Sequence, residues 1–144
     1  MNKFVLDNSV AMRWLMVSNK QVDQEYAELV LQNLTESEAI VPHLWHLEAT
    51  NVLLSAEMRG ELTTGEVERF ISQLENLPIQ VDSLTAHQAF SRTLSLCRAY
   101  KLSSYDAAYL ELAIRKSLPI ATLDKALKKA AKLAGVPFFL DGLE

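Results

Sequence analysis

The chain has 144 residues, 49% of them hydrophobic, with four glycines, four prolines and a single cysteine. That length suits one domain able to bury a sizeable core, and the composition excludes a disordered, linker-like or disulfide-stapled protein. The net charge of −4 conceals an asymmetry, since residues 1–90 carry 5 Lys/Arg against 13 Asp/Glu and residues 91–144 carry 9 against 5. No charged-then-apolar leader opens the sequence and no run of about 18 apolar residues occurs, so a cytoplasmic protein away from the membrane is expected.

A short apolar strand is predicted over 3–6, and it stops at an acid in "FVLDNSV". Asp7 either caps the helix starting at Ser9 or holds something, because an unpartnered buried carboxylate is costly. Helices are predicted over 9–17 and 22–36. The first contains the apolar run Trp14, Leu15, Met16 and Val17, mostly expected in the core. A strand over 39–41 leads into a helix over 43–59, where Glu48 lies on a largely apolar face with Leu44, Trp45, Asn51 and Val52 as its neighbours three and four positions away. An internal hydrogen bond from Asn51 would account for Glu48 structurally. Gly60 ends that helix; Thr63, Thr64 and Glu66 start the next, over 64–76.

A strand over 79–81 and a helix over 86–101 follow, with Cys97 read as a small core residue. His43 and His46 share a helix, but with only His87 and Cys97 as further soft ligands no zinc spacing results. In "LSSYDAAYLELA" Asp106 falls in the first turn of a helix over 104–117 capped by Ser103 or Ser104; alone, it reads as an acid favouring the helix dipole. The strand over 120–122 runs into Asp124, a natural N-cap for the helix over 125–134. On that helix Lys125, Lys128, Lys129 and Lys132 recur at i, i+3, i+4 and i+7. They form either the solvated side of an amphipathic helix or a rail for a phosphate backbone, extended by Arg115 and Lys116. A fifth strand is expected over 138–140. Short apolar strands alternating with helices predict an α/β domain with a mainly parallel central sheet of about five strands, covered on both faces.

In such sheets ligands gather beyond the carboxyl ends of the strands. Four acids, each at a strand end or an inward-facing helical position, can converge there. Unassisted they repel: two carboxylates about 5 Å apart cost roughly 3 kcal/mol at an effective dielectric near 20. A divalent cation removes that penalty, and an all-oxygen set favours Mg²⁺ or Mn²⁺ over zinc. The cluster suits hydrolysis at a phosphate.

The order "FVLDNSV", "LEATNVL", "SSYDAAYLELA", "ATLDKALKKAAKLAGV" resembles PIN-domain nucleases over residues 4–136, and among them is most similar to the VapC toxins of bacterial toxin–antitoxin pairs. The resemblance implies one PIN-like α/β/α domain over 1–144 and a Mg²⁺-dependent endoribonuclease, with Mn²⁺ able to substitute. It puts the catalytic, metal-binding quartet on Asp7, Glu48, Asp106 and Asp124. It assigns orienting roles to Ser9, Asn51 and Thr122. It further implies an RNA substrate, an antitoxin protein as partner and a homodimer. An antitoxin peptide would need an arginine for the acids and apolar anchors, expected near Trp14, Leu15 and Met16. Two other functions compete. A haloacid-dehalogenase-like phosphatase requires a second Asp where this chain has Ser9. A catalytically inactive interaction module of the same fold would be favoured by a missing acid, and none is missing.

Overall fold

The computed structural model describes residues 1–141. Its centre is a four-stranded sheet in the order β3-β2-β1-β4, formed by β1 (Asn2–Leu6), β2 (Ser37–Val41), β3 (Ile79–Val81) and β4 (Ile120–Ala121). Every pairing is parallel, with Phe4 against Ala39 and Val5 against Ile120. Successive strand residues face opposite sides, yet Phe4, Val5 and Leu6 are all fully buried. Both faces of the sheet are therefore covered, which explains why these strands read as unbroken apolar runs.

The cover comes from α1 (Asn8–Ala11), α2 (Gln21–Asn33), α3 (Trp45–Met58), α4 (Thr64–Glu75), α5 (Thr85–Gln88), α6 (Leu94–Tyr100), α7 (Ser104–Lys116) and α8 (Lys125–Leu133). Their starts follow local chemistry. Thr63 and Glu66 form a reciprocal capping box on α4, Ser103 accepts the Asp106 N–H at the head of α7, and Asp124 accepts the Leu127 N–H at the head of α8. Gly60, just beyond α3, adopts φ +77°, a conformation that favours glycine.

Three expected elements change shape. The helix over 9–17 is only α1 followed by a tight 3₁₀ turn, Met12–Trp14. The Trp14 indole N–H donates to the Ala27 carbonyl of α2 at 2.7 Å, so this stretch folds back on α2 instead of continuing outward. The helix over 86–101 runs from α5 to α6 through a π-helical turn, Ala89–Thr93. The fifth strand shrinks to one parallel bridge between Phe138 and Ile120, because β4 has just two residues and Leu140, at φ +61°, turns the chain out of extension. Phe139 still closes that edge by stacking on Phe4, with centroids 3.8 Å apart.

Candidate functional site

The carboxyl edge of the sheet places the first acid. The backbone N–H of Asp7 donates to the Ala121 carbonyl at 3.0 Å, extending the β1–β4 ladder so that Asp7 sits beside Thr122. Asp7 is only 6% exposed. Its Oδ2 accepts from Ser9 Oγ at 2.6 Å and from Thr122 Oγ1 at 2.7 Å. Those hydroxyls are themselves aimed, since Ser9 Oγ accepts the Leu123 N–H at 2.9 Å and Thr122 Oγ1 accepts the Asp124 N–H at 3.0 Å. Among the described residues no donor reaches Oδ1. Burial raises the Asp7 pKa, the two hydroxyls pull it back, and the charges of Glu48 and Asp124 push it up again.

The other three acids arrive on helices. Glu48, in the first turn of α3, is half-buried; its Oε1 accepts from the Tyr109 hydroxyl and, at 3.4 Å, from Asn8 Nδ2. Its pKa is raised by desolvation, lowered by those two donors and raised by Asp106. Asp106, in the first turn of α7, is raised to about 6, by desolvation first and then by the charges of Asp124 and Asp7. Asp124 spends Oδ2 as the cap of α8, accepting from Leu127 at 2.9 Å. Each acid is thus within electrostatic reach of at least one other, and among the described residues no basic group offsets the raised values of Asp7, Glu48 and Asp106.

A family model, that of the PIN domain, matches residues 4–133. The chain belongs to the PIN domain family. Among solved structures this PIN domain is similar to PAE2754 from Pyrobaculum aerophilum, with a TM-score of 0.64 and 18% identity over 90% of this chain and 86% of that one. It is also similar to FitAcB from Neisseria gonorrhoeae, with a TM-score of 0.58 and 18% identity over 94% of this chain and 96% of that one. At such identity the likeness is one of fold. No curated protein matches the chain in sequence.

The donor chemistry of this PIN domain fits a hard divalent cation. Its charged groups are carboxylates, among them Asp7, whose Oδ1 receives no donor among the described residues. Among the described residues no three acidic, histidine or cysteine side chains are drawn into a ready-made cage for one ion.

The remaining expected residues fall out unequally. Ser9 and Thr122 stand at the acids. Asn51 does not join them: it is exposed on α3 and its side chain makes no hydrogen bond among the described residues, while the donors to Glu48 come instead from α1 and α7. Lys125, Lys128, Lys129 and Lys132 are all exposed, and Lys128 Nζ lies 5.9 Å from the centre of the Phe138 ring. The opposite side of α8 buries Leu127, Ala130 and Ala131, while Ala126 and Leu133, expected there too, are exposed. Arg115 does not extend the lysine stripe. Its guanidinium is held by Asp82 at 2.7 and 3.1 Å and by Glu111 at 2.7 and 3.1 Å.

Two polar residues at the site are absent from the sequence reading: Asn8 and Tyr109. Asn8 was hidden by its neighbour Asp7. Tyr109 carried a usable signal, being three residues after Asp106 and so on the same side of α7.

Proposed function

We propose that this protein is a Mg²⁺-dependent endoribonuclease, active also with Mn²⁺, and the toxin of a VapC-type toxin–antitoxin pair. The observation that carries the reading is Asp7, a buried carboxylate aimed by two hydroxyls, one oxygen free of donors, within a ring of acids that lacks a cation. Asp7, Glu48 and Asp106 would hold the ion, and Asp124 would complete the negative rim while capping α8. When bound, the ion supplies Lewis-acid polarisation of the phosphoryl group and a water acidic enough to attack it. The chain's own part is placement. Ser9 and Thr122 fix the Asp7 plane, and the tertiary contacts of α3 and α7 fix Glu48 and Asp106. The lysines of α8 begin directly after Asp124, so a phosphate backbone drawn along them is led to the acids.

The toxin half of the reading needs a partner and a dimer. An arginine offered by an antitoxin would meet the acids bidentately. Trp14, expected among its anchors, is half-buried and tied to Ala27, so of that run Val17, 74% exposed, is the side chain a partner would meet first. Phe90, Leu94 and Tyr105 are exposed around an apolar groove that also involves Leu44 and Cys97, a face suited to a second copy. The deciding experiment combines cleavage and growth. The purified protein should cut RNA with Mg²⁺ or Mn²⁺ and stop with EDTA. Its expression alone should arrest growth, and co-expression of an adjacent small gene should relieve the arrest. A folded protein that neither cuts RNA nor slows growth would reject the reading and favour an inactive interaction module.

A further inference from the structure

Glu48 differs from the other acids in what holds it. Both of its donors come from residues adjoining another acid of the ring: Asn8 follows Asp7 directly, and Tyr109 lies one turn after Asp106 on α7. Asn8 Nδ2 also donates to the Trp45 carbonyl at 2.9 Å, which clamps the head of α3 against α1, and lies 3.4 Å from the Tyr109 hydroxyl. Both donors reach the same atom, Oε1. Among the described residues Oε2 receives none. Tyr109 is completely buried, and an apolar side chain there would avoid the cost of hiding a hydroxyl. A useful contrast is Tyr26, another buried tyrosine, whose hydroxyl donates to the Phe139 carbonyl at 2.8 Å and thereby ties one backbone segment to another. The Tyr109 bond goes to an acid.

The geometry points to Tyr109 and Asn8 as positioning residues for Glu48: they hold Oε1, leaving Oε2 as the oxygen presented to a divalent cation at the rim. The role rests on the metal-site reading above and deepens it. In this arrangement the distance between Glu48 and the other acids is set by one small network spanning α1, α3 and α7, so the rim is pre-shaped before an ion arrives. Hydrogen-bond partners of metal-holding carboxylates commonly change ion affinity about 10- to 100-fold when removed.

The test uses Mn²⁺ alone as probe, followed by calorimetry or by the electron-spin resonance signal of the free ion. Wild-type protein should bind it. Tyr109→Phe removes one oxygen and keeps the ring, and should weaken Mn²⁺ binding about tenfold while leaving metal-free RNA affinity unchanged. In a Glu48→Gln background the same Tyr109→Phe change should have no further effect on Mn²⁺ affinity, which a merely structural role would not predict. A second measurement needs no change at Tyr109: in wild-type protein the Asn8 side-chain amide resonances should move on Mg²⁺ titration, and at equal occupancy in Glu48→Gln they should move less. Unaltered Mn²⁺ affinity in Tyr109→Phe, an equal loss in the Glu48→Gln background, or unmoved Asn8 resonances would each overturn the positioning role. Failure of the parent reading looks different: wild-type protein itself would bind no Mn²⁺.

Discussion

Two groups of buried and half-buried acids sit in this molecule and are treated in opposite ways. Asp82 and Glu111, both nearly inaccessible, share the guanidinium of Arg115 through four hydrogen bonds. Asp82, though desolvated, is held below the usual carboxylate range by Arg115 and by the Leu84 N–H. Among the described residues no basic side chain offsets Asp7, Glu48 or Asp106, and burial first, then the charges of neighbouring acids, raises their pKa values. Among the described residues the fold supplies an arginine for one pair of acids and no basic side chain for the other group. The first group is completed by folding. Under the proposed function the second would be completed by a cation from outside.

Substitutions at the two groups should therefore part company. Under the proposed function Asp7→Asn should lower RNA cleavage about a hundredfold or more, since a bound ion would contribute several kcal/mol to the reaction. The metal-free variant should melt no lower than wild type, because the change removes a carboxylate that burial disfavours. Arg115→Ala should do the reverse, leaving the four rim acids in place but destabilising the fold by roughly 3 kcal/mol through two uncompensated buried carboxylates. Parallel thermal melts and cleavage assays read both. Equal loss of stability in the two variants would erase the distinction.

Acidity offers a milder separation. The folded pKa of Asp106 is raised, to about 6 from an ordinary 3.8. The folded state therefore binds its proton more readily than the unfolded state does, and this group's contribution to stability is greatest at low pH and lost as pH rises through about 6. Asp82 acts oppositely, but its depressed value confines its effect to below about pH 4. The metal-free protein is accordingly expected to melt higher at pH 5 than at pH 7. Mg²⁺ should bind more weakly at pH 5, where protons compete for the same oxygens, and saturating Mg²⁺ should flatten or invert the pH trend. Melting curves at the two pH values, with Mg²⁺ or EDTA, check the sign.

The smallest effect belongs to the exposed lysines. Replacing Lys128, Lys129 and Lys132 together by Gln should leave Mn²⁺ affinity intact. The slope of log affinity for single-stranded RNA against log salt should flatten by about 2, from three phosphate contacts at about 0.7 each. An unchanged slope would make the stripe a solvated helix face and nothing more.

Sequence by itself determined the alternation of strands and helices, narrowed the cap of α7 to Ser103 or Ser104 and the start of α4 to Thr63 and Thr64, offered Asp124 as the cap of α8, and nominated the four acids that the proposed function uses. Each of these is written in local spacing: an apolar run that stops at Asp7, or an acid in the first turn of an amphipathic stretch. What only tertiary structure decided is who partners whom. Arg115 and Lys128 look alike in a basic segment, but Arg115 is committed to Asp82, which lies 33 residues away in the chain, and Lys128 remains exposed. Asn51 has the right spacing for Glu48, whereas Asn8 and Tyr109, from 40 and 61 residues away, are the groups that reach it. The truncation of the helix at Trp14 and of the last strand at Leu140 was equally out of view. Caps and periodicity arise within one or two turns of chain; compensation of a buried charge depends on distances in space, which exist only once parallel pairing has put Leu6 beside Ala121 and the packed helices have closed around it.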